Sequence, residues 1–212
     1  MTVTTQAGDL VVIYATSENN NITINAPSGN SITFTRSVFF DPGAGSYAPI
    51  YIWTGIDSAG GTNWTLSLTA TGSSVHWGST ALVFRNAAVG TGITDNKTSG
   101  YTTSITTTQA NSAIVVALTD WSAISDPQND RIWQTVNGYT PTAGNGQELD
   151  YQYVNGAYTV FGAYYPDAGT TGSKTVGLST GPGSSSHVSF AVLEVKGTGG
   201  SGYTTLNWLR FS

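Results

Sequence analysis

The chain contains no cysteine, so neither a disulfide framework nor a thiolate metal site holds it together. Charge is nearly as scarce. Only 9% of its 212 residues are Asp, Glu, Lys or Arg, against about a quarter in an ordinary soluble domain. The seven basic residues, Arg36, Arg85, Lys97, Arg131, Lys174, Lys196 and Arg210, are scattered along the chain. With a net charge of −5 and no basic cluster, nucleic acid has no electrostatic footprint to grip. No run of about 20 apolar residues occurs, so membrane insertion is not expected. The opening Met1-Thr-Val-Thr-Thr has no basic region leading into an apolar one, so no cleaved signal peptide is expected either. Histidine is limited to His76 and His187, without an HxH or HExxH pattern, and no GxSxG elbow is present. The sequence therefore predicts no enzyme and no cofactor.

What is abundant is Gly, Ser, Thr and short apolar runs. Asp9–Ser17 (DLVVIYATS), Ser31–Phe40, Pro49–Ile56, Trp64–Ala70 and Ser79–Arg85 are rich in β-branched and aromatic residues and are separated by Gly, Pro, Asn and Ser clusters, the signature of strands. TLSLT and SITFT alternate apolar with hydroxyl side chains, as strands with one wet face do. LVVI and ALVF are apolar throughout, which predicts strands covered on both faces. No window has helical spacing with caps.

The second half repeats this order. Thr4–Thr16 (TTQAGDLVVIYAT) matches Thr107–Thr119 (TTQANSAIVVALT), Asp57–Leu68 resembles Asp167–Leu178, and Ser73–Phe84 resembles Ser184–Val195. SGYTT stands at Ser99–Thr103 and again at Ser201–Thr205. A long period of this kind predicts duplication, with repeats near 1–106 and 107–212. The expected fold is all-β: a jelly-roll-like antiparallel sandwich of about twelve strands in a single domain spanning 1–212, with almost no helix. A Gly-rich hinge at 197–202 precedes a last strand at 203–211. Its Tyr203, Leu206, Trp208, Leu209 and Phe211 are expected to dock as one more strand. That strand either closes the chain's own sheet beside the first repeat, hiding an edge, or inserts into a neighbouring copy. By its preceding SGYTT, the segment Tyr101–Thr107 is its counterpart.

Three sets of side chains are candidates for chemistry. Trp121, Tyr139, Tyr164 and Tyr165 fall at strand ends or loops, where aromatic faces are able to stack on sugar rings. Asp120, Asp126 and Asp130 offer oxygen ligands to a metal, but in no standard calcium-loop spacing. Glu148 and Asp150 alternate on one strand, which predicts both carboxylates on one face about 6–7 Å apart, a spacing at which glycosidases mount acid and nucleophile. Tyr153 stands where a Glu-x-Asp-x-x-Glu pattern needs its last carboxylate, so the pair is expected to be solvent-facing strand residues without a catalytic role. DPQND and YTPTAGNGQ are the most polar loops and have no counterpart in the first half; function in sandwiches usually sits on such loops.

The phrases AGDLVVIYAT, DSAGGTNWTLSL, STALVFRNA and ANSAIVVALT resemble a family of duplicated β-sandwich proteins from tailed phages and bacteria, many of them labelled minor tail or other virion proteins. That family also carries an E-Y-x-G run. Here Glu194 stands in LEVKG of the second half, the first half reads VFRNA, and neither has the Tyr. The resemblance covers most of the chain and implies a virion surface component, of tail or capsid, with other virion proteins, copies of itself or a cell-surface glycan as partners. A carbohydrate-binding module, or a secreted filament subunit joined by its last strand, are the alternatives.

Overall fold

The computed structural model describes residues 1–17, 22–41, 48–72, 77–120, 131–154, 158–181, 187–198 and 204–211; over 151–154, 158 and 204–211 the description is of the strand backbone. The described residues hold no α-helix and seventeen strands. The first half contributes β1 (Thr2–Thr5), β2 (Asp9–Ser17), β3 (Thr23–Ile24), β4 (Thr35–Phe40), β5 (Ile50–Asp57), β6 (Gly61–Thr65), β7 (Ala70–Thr71), β8 (Trp77–Arg85) and β9 (Ala87–Lys97). The second contributes β10 (Thr102–Thr107), β11 (Ala113–Asp120), β12 (Ile132–Trp133), β13 (Glu148–Val154), β14 (Tyr158–Tyr165), β15 (Gly172–Thr180), β16 (Val188–Gly197) and β17 (Thr204–Phe211).

Two five-stranded antiparallel sheets form the centre, in the orders β17-β8-β2-β5-β4 and β13-β14-β11-β16-β9. They face one another across a core that draws on both halves of the chain, with Leu10, Val12, Tyr14, Leu82 and Phe84 on one side and Val115, Ala117, Leu193 and Val195 on the other. The apolar runs follow from this placement. In β2 every residue is buried: Leu10, Val12 and Tyr14 face the central core, while Val11 and Ile13 point the other way, against Val3 and Leu66. β11 divides in the same manner, with Ile114, Val116 and Leu118 packed outward on Ile105, Trp133, Val176 and Leu178. The middle of a strand buried on both faces offers no wet position, hence the unbroken apolar letters of LVVI and AIVVAL. The buried polar residues, Asp9, Thr16 and Ser17 in β2 and Thr119 and Asp120 in β11, stand at the strand ends.

The outward faces are covered by smaller sheets, β1-β6 and β3-β7 over one large sheet and β10-β15-β12 over the other. Here the structure departs from the expected dozen strands in two layers. Apart from the nine-residue β15 the covering strands are short, and hydroxyls take the wet positions of β10, where Thr103, Ile105 and Thr107 are buried and Ser104 and Thr106 exposed. Such segments carry too little apolar content to be counted separately in the sequence.

The large sheets each take their fifth strand from the other half of the chain. β8 and β9 are separated only by Asn86, whose φ of 53° bends the chain from the first sheet into the second, where β9 pairs along β16. The left-handed region suits Asn better than most residues. In return β17 runs antiparallel along β8, from Thr204 opposite Arg85 to Phe211 opposite Ser79, with a bulge at Leu206. The two crossings touch, for the Thr198 amide donates to the Asn86 carbonyl at 2.7 Å. The strand in the corresponding place of the other sheet is thus β9. The segment after the first SGYTT, β10, instead pairs with β15 in a covering sheet, which corrects the counterpart inferred from the repeated letters. Tyr203 lies outside the described residues, and for Leu206, Trp208, Leu209 and Phe211 only strand and register are described.

Ending the chain after Gly200 removes β17 and leaves β8 as a bare edge. The truncated protein is expected to aggregate or lose its cooperative melt, read by size-exclusion chromatography and thermal denaturation. A well-behaved monomer with an unchanged Tm would contradict the role given to this strand.

Candidate functional site

Of the two loops without a counterpart in the first half, YTPTAGNGQ borders a cavity beside β12, and DPQND lies outside the described residues. β12 is held to β15 by Ile132 opposite Thr180 and Trp133 opposite Leu178, and the Gln134 amide donates to the Gly177 carbonyl at 2.8 Å. The chain then reverses at Asn137-Gly138, with φ values of 48° and 80°, while Val136 and Tyr139 exchange backbone hydrogen bonds of 3.0 and 2.9 Å. Positive φ at both central residues marks a type I′ turn, and Asn-Gly is its preferred pair. The following loop is braced by a single 3₁₀ turn, Ala143–Asn145, whose Thr142 and Asn145 cap one another. It closes with the Glu148 amide on the Thr142 carbonyl at 3.2 Å.

Arg131, Ile132, Trp133, Pro141, Thr142 and Glu148 are among the residues that line the resulting cavity of about 210 Å³. Glu148 is the hub. Arg131 donates to Glu148 Oε1 through Nε at 2.7 Å and through Nη2 at 2.5 Å, and the Trp133 indole N–H reaches Oε2 at 3.3 Å. The ion pair is little exposed, 12% for Arg131 and 8% for Glu148. Desolvation at such a depth offsets most of the Coulomb gain, so a pair of this kind is poor evidence of stability for its own sake. Removing one partner is different, because it strands the other charge. Arg131→Ala is expected to lower stability by about 3 kcal/mol, seen as a shifted urea midpoint.

A β-bulge between Glu148 and Asp150 alters the spacing predicted for these carboxylates. Glu148 stands opposite Ala163 and Asp150 opposite Gly162, neighbours on β14 that take opposite faces of the sheet. Asp150 is buried. The pair is neither on one face nor turned to solvent.

Of the four aromatics predicted to bind a ligand, Tyr139 is exposed, at 37%, on the Asn137-Gly138 hairpin. Tyr164 is half-buried against the central core. Tyr165, its neighbour on β14, is fully buried on the opposite face, and its hydroxyl donates to the Gln134 carbonyl at 3.1 Å. Burial pushes its ionisation far above the ordinary tyrosine range. Tyr165 is a core residue and offers no face for stacking, which corrects its place in that set. Trp121 lies outside the described residues. So do Asp126 and Asp130 of the metal candidates, while Asp120 is buried at the end of β11 and accepts the Tyr101 hydroxyl. Among the described residues no group of three or more His, Asp or Glu side chains is arranged to hold a metal. His76 is outside the description, and His187 sits half-buried just before β16.

A second aromatic cluster was not anticipated as a unit. Trp53, Tyr51 and Phe39 stack at centroid distances of 4.8 and 4.6 Å, and the Arg36 guanidinium lies 4.1 Å over Phe39. Each ring of this ladder is occupied by its neighbours, so it reads as packing on the sheet surface. Arg131 was the residue that sequence reasoning missed. It is 17 positions from Glu148, and only the folding of two loops brings the pair together. Comparison of the chain with known protein families, with curated proteins and with solved structures finds no match.

Proposed function

We propose that the chain is a non-enzymatic structural protein of a tailed-phage particle, carried on the surface of the tail or capsid beside other virion proteins or copies of itself. The observation that carries this reading is where the carboxylates are spent. Glu194 holds a loop (Thr108 and Gln109) to β16, Asp57 holds the turn at Ala59 and Gly60, Asp9 pairs with Arg85 at 3.2 Å, and Glu148 with Arg131. Acids committed to internal hydrogen bonds build a rigid block rather than a reactive centre. The exchange of β9 and β17 between the large sheets adds to this, since it pairs an edge that would otherwise invite association. Antibody raised against the chain should label intact particles by immunogold microscopy and co-sediment with them in a density gradient. Particles that lack the chain would sink the reading.

A second reading, adhesion to a glycan, is favoured by the cavity between β12 and the unmatched Thr140–Gln147 loop. A filament joined through the last strand would require β17 to leave β8, and no observation favours it.

A further inference from the structure

We propose that the cavity between β12, the Thr140–Gln147 loop and the start of β13 binds one ring of a neutral hexose at the end or branch of a glycan. The inference rests on the adhesion reading and is independent of where the protein resides.

Size sets the first limit. At about 210 Å³ the cavity falls below the range of roughly 300–1,000 Å³ that receives drug-sized ligands, which leaves space for a single six-membered ring. Charge sets the second. Among the described residues that line it, the only charges are a guanidinium and a carboxylate bonded to one another, which offset each other. An anionic ring would meet the Glu148 carboxylate, and a cationic one the Arg131 guanidinium. What such a pair does offer is a strong, fixed acceptor in Glu148, the complement of a ring hydroxyl that gives a hydrogen bond. Thr140 and Thr142 place further hydroxyls in the wall, and Pro141, Ala143 and Ile132 supply the apolar surface for the ring's C–H edges. Ile132 is 54% exposed, an apolar side chain held at the mouth by its pairing with β15. The floor is also preorganised. Arg131 and Trp133 fix Glu148 from two directions, so no side-chain freedom remains to be lost there on binding.

Saturation-transfer NMR with the methyl pyranosides of glucose, galactose and mannose tests this directly, together with an array of neutral and acidic oligosaccharides. At least one neutral hexoside should bind, with a Kd of about 1 mM, as suits a single small ring. Ala143 is exposed on the loop, so Ala143→Phe should block the cavity with no change in Tm and weaken binding at least tenfold. Glu148→Gln keeps the shape but removes the charge-assisted acceptor. It strands the Arg131 charge and lowers the Tm, while below that melt circular dichroism should stay that of the wild type and binding should weaken. Failure of every neutral hexoside to bind the wild type, undiminished binding by Ala143→Phe, or preference for acidic sugars would each overturn the proposal. Gold-labelled particles whose protein binds no hexose would discard this site and leave the structural role standing.

Discussion

Replacing Glu194 with Ala should cost the protein about 3–5 kcal/mol, a large part of the roughly 5–15 kcal/mol that separates folded from unfolded in an ordinary domain. Glu194 is fully buried on β16. Its Oε1 accepts the Thr108 and Gln109 amides at 2.8 and 3.0 Å, and its Oε2 accepts the Thr91 amide at 3.0 Å and the Thr108 hydroxyl at 2.9 Å. The Ser112 hydroxyl lies 2.8 Å from Oε1. One carboxylate thereby ties β16 to β9 and to the connection that leads from β10 into β11, the joint between the two halves. Alanine would take a charged acceptor from three part-buried backbone amides at once, and a hydrogen bond to a charged group contributes about 1.5–3 kcal/mol. In a chain of this size the Tm should fall by about 10 °C. The position opposite a β9 glycine is also fixed, since a Cβ on Gly90 would stand 2.6 Å from Glu194 Oε2. An Ala variant whose melt matches the wild type would refute the clamp.

The same group gives the protein a particular response to acid. Burial alone would raise the Glu194 pKa, but the amides and hydroxyls outweigh it and hold the group at about 2, against an ordinary 4.5. Because the folded value is the lower one, the unfolded chain binds the proton first. The contribution is complete above pH 4.5 and drains away as pH falls toward 2. Asp57, held down by Thr5, Asn30 and the Gly60 and Ala59 amides, acts in the same direction. Glu194→Gln, which cannot titrate, should show a shallower loss of Tm over that window, with a remaining slope to which Asp57 and Asp95, both also held below the ordinary aspartate value, contribute. An equal slope in the two proteins would count against the assignment.

Much of this architecture is legible in the letters, and the parts that are not share a cause. DLVVIYATS and AIVVALT declare two-sided burial because a strand with no polar alternate has no wet face, and β2 and β11 do lie at the centres of the large sheets. The alternation in TLSLT does give an inward Leu66 with Thr65, Ser67 and Thr69 outward. Residues 66–69 nevertheless lie between β6 and β7, and SITFT is strand only from Thr35, so the strands expected there are shorter than the letters suggest. What the letters do not carry is pairing across distance. That β17 lies on β8 while β9 lies on β16 depends on the bend at Asn86, a single residue in an otherwise continuous strand pattern. The opposed faces of Glu148 and Asp150 depend on a bulge, which shifts parity without any marker of composition. Tyr164 and Tyr165 look equivalent as a pair of aromatics at a strand end. Only the face that each inherits from β14 makes one a fully buried core residue and leaves the other partly accessible.

The second large effect lies where the halves meet and do not match. Tyr14 of β2 and Ala117 of β11 hold corresponding places in the two similar runs, and their partners on the next strand are Ile52 and Gly162. Large stands beside large in one sheet and small beside small in the other. The Tyr14 ring crosses the central core into the hollow this leaves, so that a Cβ on Gly162 would lie 1.8 Å from the Tyr14 hydroxyl oxygen and 2.3 Å from Cζ. The ring is fully buried, in an interior packed as densely as protein cores are. Gly162→Ala, a change of one methyl group, should therefore destabilise the protein by about 3 kcal/mol, the upper end for overpacking a core. The cost belongs to the contact and not to the strand, which a double-mutant cycle separates. In a Tyr14→Leu background the same alanine should cost less than about 1 kcal/mol, because the ring that forbids it is gone. Equal penalties in both backgrounds would mean that Gly162 is needed for its backbone rather than for Tyr14. A strong coupling would show that the two sheets specify each other, so that neither half is interchangeable with a second copy of itself despite the likeness of their sequences.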